Sequence, residues 1–306
     1  MHAPTTTDAR SAHGPGTGPV PDVADAAGGT VVAGAAGGTA GARVARRMHP
    51  LRPRLLTVVG VERLAARMVR VRLGGDDVAD LPTVAPTDHV KLFVPAATGE
   101  APALPVVVDD RWVGGRDLPS RDYTIRAIDR EARTLDIDLV EHPHGRLGRW
   151  ASVVRLGDQV GVLGPRGSVV VTPDAAWYLL AVDETGLPAA ARWLEELVPE
   201  AHAVVLVEVR DAGDVVPLPT RARAEVTWLF RGAQEAGSTS LLADAVRGLD
   251  LPVGDGYVWV AGEAGAVRPL RRYLRDELGL ARDAVDVDGY WRRGVAGHDH
   301  HEDDGD

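Results

Sequence analysis

Between residues 55 and 163, apolar and polar positions alternate with a period of two, which is typical of strands that bury one face. The pattern predicts six short strands: Leu55 to Glu62, Met68 to Leu73, His89 to Val94, Tyr123 to Ile128, Leu135 to Val140, and Gln159 to Leu163. One helix is predicted over Leu147 to Val154, directly after a turn that contains glycine. Short strands with a single helix predict a small antiparallel barrel.

After Pro173 the pattern changes to apolar strands that alternate with amphipathic helices. The predicted strands are Trp177 to Asp183, Val204 to Val209, Val226 to Phe230, and Tyr257 to Ala261. The predicted helices are Leu187 to Leu197, Leu241 to Leu249, and Val267 to Leu278, the last closed by Gly279. This alternation predicts a Rossmann-like parallel sheet with helices on both faces and ligands at the carboxyl ends of its strands. The expected fold class is β plus α/β, with a six-stranded antiparallel barrel in residues 51–174 and the α/β domain in residues 175–294.

The two ends of the chain carry little apolar pattern. Residues 1–50 begin with a long stretch of Ala, Gly, Thr and Pro, and we expect a disordered amino-terminal extension there. Met48 directly precedes the first patterned segment, which raises the hypothesis that translation begins at that residue. Residues 295–306 are expected to form a disordered, acidic and histidine-bearing tail, so we predict no metal site in the cluster His298 to Glu302.

Composition restricts the possible functions. The 306 residues are 45% hydrophobic and 25% charged, enough for two domains that each have a core. The chain has no cysteine, which excludes disulfides, a thiol nucleophile and a cysteine-ligated iron–sulfur cluster. Half of the net charge of -10 comes from the five acids in the last nine residues, and no clustered basic face for nucleic acid is apparent. No apolar run is long enough to span a bilayer, and we expect a cytoplasmic protein.

The segment Arg121-Asp122-Tyr123-Thr124 carries the most informative chemistry. On a strand, Arg121 and Tyr123 share one face, and Thr124 lies on the other. A guanidinium matches a phosphate, an aromatic face matches a flavin ring, and a hydroxyl can serve the ring edge. Taken alone, the segment equally fits a half-buried strand with a charged rim.

A second motif follows about twenty residues later, from His142 to Ala151. It includes a glycine turn that opens the predicted helix, where backbone N–H groups could face a pyrophosphate. The two motifs, in this order and ahead of an α/β half, resemble the flavin-binding segment of the ferredoxin-reductase-like superfamily. The chain most closely resembles the siderophore-interacting protein family of ferric-siderophore reductases, from about residue 53 to residue 294.

This resemblance implies that the barrel binds FAD. Arg121 would pair with the pyrophosphate, Tyr123 would pack on the flavin or its ribityl chain, and Thr124 would reach the ring edge. The second motif would complete the FAD site with His142, Gly145, Arg146, Leu147, Gly148 and Trp150. Relatives usually carry Pro-Ala-Ser or similar small residues where this chain has Arg146-Leu147-Gly148, so a serine hydroxyl near the pyrophosphate is missing. Either Arg146 compensates for it, or FAD binds more weakly.

The resemblance also implies a basic pocket for an anionic ferric chelate. Lys91, the only lysine in the chain, and Arg166 stand at two of the family's basic positions. The third basic residue should lie close to Tyr290-Trp291, where Arg292 or Arg293 could supply it, and Arg292 is our candidate. A carboxyl-terminal aromatic residue in this superfamily is well placed to cover the flavin ring.

The electron donor is expected at the carboxyl end of the predicted parallel sheet. The resemblance points to Asp183, Glu184 and Thr185 after the first strand, and to Gly262 and Glu263 after a later one. Carboxylates repel a pyrophosphate, and they could equally cap the following helix.

The expected function is an FAD-dependent reductase that takes electrons from NADH, NADPH or reduced ferredoxin and releases Fe(II) from a ferric siderophore. No catalytic acid, base or nucleophile is required. The alternatives are a siderophore-binding or carrier protein without reductase activity, and a generic NAD(P)H:flavin reductase.

Overall fold

The structure is a computed structural model that describes residues 31–32, 43–97, 99–143 and 145–295. Its amino-terminal half is built mainly of strands. They are β1 (Val31–Val32), β2 (Val44–Met48), β3 (Pro53–Ala65), β4 (Met68–Gly74), β5 (His89–Phe93), β6 (Val106–Val108), β7 (Arg111–Gly114), β8 (Ser120–Thr124), β9 (Ala127–Asp129), β10 (Thr134–Val140), β11 (Gln159–Leu163) and β12 (Gly167–Val171), with helix α1 (Arg146–Ala151) between β10 and β11.

Seven of these strands form one antiparallel sheet in the order β8-β5-β11-β3-β4-β10-β9. Its inward positions, among them Leu56, Leu73 and Ile137, are fully buried, as the period of two predicted. The strand expected over Tyr123 to Ile128 is instead two strands, β8 and β9. The break occurs because the backbone N–H of Ile125 donates to Asp88 and that of Arg126 donates to Asp136, which takes the chain from one neighbour to another.

The structure corrects the expected disordered extension of residues 1–50. Strand β2 pairs antiparallel with β12, from Val44 opposite Val171 to Met48 opposite Gly167. The guanidinium of Arg43 also donates to the carbonyl oxygen of Gly256, 2.7 Å away. The end of the extension is therefore a strand, whereas residues 1–30 and 33–42 lie outside the described residues, and so does the tail from residue 296.

The second half is an α/β domain with a parallel sheet. Its elements are β13 (Trp177–Asp183), α2 (Leu187–Glu196), β14 (His202–Val209), β15 (Arg223–Phe230), α3 (Leu241–Arg247), β16 (Gly256–Glu263), α4 (Ala264–Arg272) and β17 (Val285–Trp291). The strand order is β15-β14-β13-β16-β17, and all neighbours are parallel. Helix α2 packs on one face of the sheet, and α3 and α4 pack on the other. Strand β17 is an addition to the predicted elements.

The two halves share a continuous interface. Ala65 and Met68 of the barrel belong to the same apolar cluster as the core residues around α2. The buried guanidinium of Arg126 makes two bonds to the carboxylate of Glu195, at 2.8 and 2.6 Å. Within the described residues, no helix is long and apolar enough to cross a membrane.

Candidate functional site

Strands β5 and β8 form an antiparallel pair that carries charged groups on one face. Lys91 lies directly opposite Asp122, and the Lys91 Nζ is 2.7 Å from the Asp122 Oδ2. The neighbouring positions Arg121 and Tyr123 alternate to the other face, where Tyr123 packs against the barrel core. Burial raises the pKa of the Tyr123 phenol, with the nearby charge of Arg121 acting against it, so the phenol is neutral at ordinary pH. A single strand thus presents different chemistry on its two faces.

Thr124, at the end of β8, connects the barrel to the last strand of the α/β domain. Its side chain is buried and hydrogen-bonded to the hydroxyl of Tyr290 on β17. The Tyr290 ring meets Trp259 edge-on, with 6.3 Å between the ring centroids. Burial raises the pKa of Tyr290 well above its usual range, helped by the negative charges of Asp288 and Asp286. The carboxyl-terminal aromatic expected near a flavin therefore lies against a residue of the first motif.

The second motif forms a tight turn at the start of α1. Gly145 has a φ of +73°, the left-handed region that favours glycine. A Cβ added at Gly148 would lie 2.5 Å from the Nε2 atom of His142, so the imidazole ring occupies the space next to this glycine. Leu147 and Trp150 point the other way, into the barrel core.

The residues of the two motifs fit FAD. Strand β8 carries a guanidinium, an aromatic ring and a hydroxyl, and a glycine turn opens α1; these groups suit a pyrophosphate and a flavin ring. The indole nitrogen of Trp150, whose ring packs in the barrel core, is buried and has no hydrogen-bond partner among the described residues. Arg146 is half-buried at the start of α1, beside the turn.

A cavity of about 530 Å³, which we call the basic cavity, lies beside the charged face of β5 and β8. It is lined by Leu51, His89, Lys91, Asp110, Arg111, Trp112, Val113, Arg116, Asp122, Leu163, Gly164 and Arg166. The structure thus brings Lys91 and Arg166 to one cavity, although they are far apart in sequence. It does not bring Arg292 there.

The hairpin of β6 and β7 forms much of the wall of the basic cavity, and the sequence analysis missed it. Its two-residue turn, Asp109-Asp110, has positive φ angles of 49° and 59°, as type I′ hairpin turns require. Asp-Gly or Asn-Gly is the usual signal for such a turn, and this chain has neither here. Three consecutive valines before two turn-forming acids, followed by Arg-Trp-Val, were the available signal.

Arg292 lines a second cavity, of about 340 Å³, at the carboxyl end of the parallel sheet. The lining residues of this second cavity are Gly237, Ser238, Thr239, Glu263, Gly265, Ala266, Arg292 and Arg293. The chain is held there because the Trp291 indole donates to Asp183 at 2.8 Å and the Arg293 backbone donates to Glu263 at 3.0 Å. Arg292 therefore lies in the region expected for the electron donor.

Asp183 is the centre of that region. One carboxylate oxygen accepts from the backbone of Thr185 at 2.8 Å, and the other accepts from the backbone of Glu263 at 3.0 Å and from Trp291. Burial raises the pKa of Asp183, while the donors from Thr185 and Trp291 act in the opposite direction. A Cβ at Gly262 would lie 2.9 Å from Asp183, which explains the glycine.

Glu184 forms an ion pair with Arg231, with 2.8 Å between the Glu184 Oε2 and the Arg231 Nη1. Burial raises the pKa of Glu184, and the charge of Asp183 adds to this effect. Helix α2 begins after Gly186 and has no side-chain cap, so the expectation that these two carboxylates cap it is wrong. Asp183 instead accepts hydrogen bonds from the ends of two other strands, at Glu263 and Trp291, and Glu184 pairs with Arg231.

No group of three or more metal-ligating side chains occurs within the ranges that the structure describes. The histidine cluster from His298 to Glu302 lies outside them.

Comparison with known proteins gives consistent matches over both halves. The family described as Siderophore-interacting FAD-binding domain matches residues 57–169, and the family described as Siderophore-interacting protein matches residues 175–294. The Vibrio cholerae protein named ferric vibriobactin reductase ViuB is 32% identical over 255 residues, which cover 82% of this chain and 93% of that protein. The Escherichia coli K12 protein named NADPH-dependent ferric-chelate reductase is 34% identical over 253 residues, covering 80% of this chain and 95% of its own. A solved structure of a siderophore utilization protein from T. fusca has 48% identity and a TM-score of 0.81, covering 84% of this chain and 99% of that one.

Proposed function

We propose that this chain, which belongs to the siderophore-interacting protein family, is a flavin-dependent oxidoreductase that reduces a ferric siderophore and so releases Fe(II). The barrel is the family's FAD-binding domain, and FAD and NAD(P)H are the cofactors of the reaction. The names of the two relatives as ferric reductases support an enzyme rather than a carrier.

The observation that carries the proposal is that strand β8 presents candidate flavin-binding residues on one face and a residue of the basic cavity on the other. Its residues Arg121 and Tyr123 face away from Lys91, whereas Asp122 between them lines the basic cavity beside it. A flavin held on one face of this strand and a chelate held in the cavity on the other face would therefore be separated by little more than the thickness of the strand. Electron transfer to iron needs that proximity and requires no side-chain acid or base.

In our proposal the chain holds FAD through both motifs. Arg121 pairs with the pyrophosphate, Tyr123 packs on the flavin or its ribityl chain, and Thr124 bonds the ring edge. When bound, FAD would supply the redox chemistry that links a two-electron nicotinamide donor to the one-electron reduction of iron. The bond between Thr124 and Tyr290 fixes the threonine side chain for this role.

The turn before α1 completes the proposed FAD site. Gly145 lets the backbone approach the pyrophosphate closely, and Arg146 adds a positive charge. The His142 ring packs on Gly148 and fills the space next to this glycine. Leu147 and Trp150 hold the turn from beneath by packing in the core.

The substrate in this proposal is a ferric siderophore with an anionic surface. Lys91 and Arg166 attract it electrostatically, and it competes with Asp122 for the Lys91 ammonium group. Hard oxygen ligands hold Fe(III) better than Fe(II), so reduction weakens the complex and frees the metal.

We place the electron donor at the second cavity. Asp183, Glu184, Thr185, Gly262 and Glu263 shape this end of the sheet, and the arginines at 292 and 293 offer positive charge to a nucleotide phosphate. Reduced ferredoxin is the alternative donor. NAD(P)H chemistry suits the cytoplasm, where we propose that the protein acts.

Anaerobic stopped-flow spectroscopy tests the proposal. The purified protein is loaded with FAD, mixed with NADH, NADPH or reduced ferredoxin, and then with ferric chelates, while a ferrous-specific dye records Fe(II). We expect flavin bleaching by at least one donor and reoxidation by the chelate. Failure to take up FAD would favour a carrier, and equal reduction of free flavin and dyes without chelate preference would favour a generic flavin reductase.

Charge reversal identifies the substrate residues. Lys91→Glu combined with Arg166→Glu should slow chelate reduction, because both side chains line the basic cavity. Arg133→Glu is the matched control, because Arg133 is an exposed arginine that pairs with Asp76 elsewhere on the barrel. Unchanged rates in the double variant would contradict the substrate assignment.

A further inference from the structure

The β6–β7 hairpin is fixed against the rest of the barrel at two points and is braced by one internal bond. The Trp112 ring meets Phe93 edge-on, with 6.2 Å between the centroids, and Phe93 is a buried residue of β5. The Trp112 indole nitrogen donates to the carbonyl of Gly114 at 2.9 Å, and the backbone N–H of Leu51 donates to Asp110 at the tip at 3.1 Å. The hairpin is therefore a pre-organised wall of the basic cavity.

Arg116 is held in one orientation on this wall. Its guanidinium carbon lies 5.5 Å from the centroid of the Trp112 ring, within the range of a cation–π interaction. Its Nε and Nη2 atoms donate to the Trp112 carbonyl at 3.1 and 2.9 Å. Both residues line the basic cavity, and Arg116 is exposed. A planar cation stacked on an indole is thus presented to whatever the cavity holds.

The other charged residues of the cavity act differently. Lys91 is paired with Asp122 at 2.7 Å, so much of its charge is already balanced. Arg166 donates to the carbonyl of His49 at 3.3 Å, and Arg111 is an exposed residue of β7. These groups attract negative charge of any shape, whereas a stacked guanidinium and indole recognise flat aromatic groups.

We propose that Trp112 and Arg116 are specificity determinants for ferric chelates whose iron is held by aromatic oxygen donors of the catecholate class. A catecholate ring stacks on the pair, and its oxygen atoms accept from the remaining guanidinium N–H groups. An aliphatic hydroxamate chelate has no such ring and gains only the general attraction of the cavity. This inference rests on the proposed function and adds the substrate class to it.

Gallium(III) complexes test the inference without electron transfer, since gallium replaces Fe(III) and is not reduced. The affinities of the FAD-loaded protein for gallium tris-catecholate and for a gallium complex of an aliphatic trihydroxamate are measured by calorimetry. Trp112→Leu changes no charge and should weaken the catecholate complex about tenfold while leaving the trihydroxamate within about twofold. Arg116→Lys keeps the charge and should still weaken the catecholate complex severalfold.

Two controls separate stacking from charge and folding. Arg111→Gln removes a charge from the same hairpin without removing a stacked group, and it should weaken the catecholate complex less than Arg116→Gln does. Arg130→Gln removes an exposed arginine that also donates to a backbone carbonyl, that of Ala79, but lies away from the cavity, and it should have no effect. If Trp112→Leu lowers the melting temperature, the Arg116 variants decide whether the pair sets catecholate affinity. Arg116 is exposed, so its replacement should not disturb the fold.

The inference is overturned if the Trp112 and Arg116 variants leave catecholate affinity unchanged, or if they weaken both complexes equally. The proposed function fails in a different way, which is that the wild-type protein reduces neither ferric tris-catecholate nor the ferric trihydroxamate. Reduction of both chelates by the wild type, with no discrimination lost in the variants, would leave the reductase intact and remove only the specificity role.

Discussion

Replacing Asp122 by asparagine should strengthen the binding of an anionic ferric chelate. Asp122 lies 2.7 Å from the ammonium group of Lys91 and also lines the basic cavity. Asparagine has nearly the same shape, so the substitution removes one negative charge from the cavity with little change in packing. The Lys91 charge then becomes available to the chelate.

The size of the effect follows from Coulomb's law. A trianion about 8 Å from the removed charge gains roughly 1.5 kcal/mol at the dielectric constant of water, a factor of about ten in affinity. At physiological ionic strength this distance is about one Debye length, which reduces the gain to about 0.6 kcal/mol, or roughly threefold. The side chains of Lys91 and Asp122 are 26% and 19% exposed, so screening by salt applies to them.

The assay is a titration of the FAD-loaded protein with gallium tris-catecholate at several salt concentrations. The ratio of wild-type to Asp122→Asn dissociation constants should be about three at physiological ionic strength and should rise towards ten as salt is removed. Asp136→Asn is the matched control, because Asp136 forms a similar cross-strand ion pair with Arg72 outside the cavity. It should leave chelate affinity unchanged.

Weaker binding by Asp122→Asn would refute this reasoning. It would mean that the carboxylate holds the lysine in the position that the chelate needs, rather than competing with the chelate for it. A gain that did not depend on salt would also refute it, because only a screened charge effect is invoked.

Three further predictions concern stability. Gly148→Ser should lower the free energy of unfolding less in a His142→Ala background than in the wild type, because the added Cβ meets the imidazole ring at 2.5 Å. A double-mutant cycle measured by urea unfolding should give a coupling of about 1 kcal/mol, and additive effects would contradict this. Burial raises the pKa of Glu208 above its value of 4.5 in the unfolded chain, so the folded state binds more protons and its stability falls as pH rises above that value. Glu208→Gln should flatten this dependence between acidic and neutral pH, and an unchanged slope would exclude Glu208 as its source. Glu195→Ala should lower the free energy of unfolding by about 1–3 kcal/mol, because it leaves the buried guanidinium of Arg126 without its bidentate partner; a smaller loss would show that the pair contributes little to the domain interface.

Local pattern predicted the strands and helices that bury one regular face. The period of two from Leu135 to Val140 and the apolar run from Trp177 to Asp183 each match one observed strand. The break between β8 and β9 could not be predicted in this way. It depends on the backbone N–H groups of Ile125 and Arg126, which donate to Asp88 and Asp136 in two different parts of the chain.

The candidate site shows the same division between local and distant information. The motif around Tyr123 is continuous in sequence, so its residues could be recognised together. The position of Arg292 depends on bonds from its neighbours Trp291 and Arg293 to acids on two other strands, and sequence spacing does not reveal such bonds. Trp112 was missed because an Asp-Asp turn is a weak hairpin signal.

Among the residues that the structure describes, the β6–β7 hairpin pairs only with itself and adds no strand to the seven-stranded sheet. Its length and sequence can therefore change without altering the register of the barrel or the strand that carries Arg121 and Tyr123. If the hairpin sets chelate preference as we propose, substrate range can change without a change in the flavin site. A library of hairpin variants would explore chelate preference while the redox machinery stays constant, much as loop exchange alters an antibody without touching its framework.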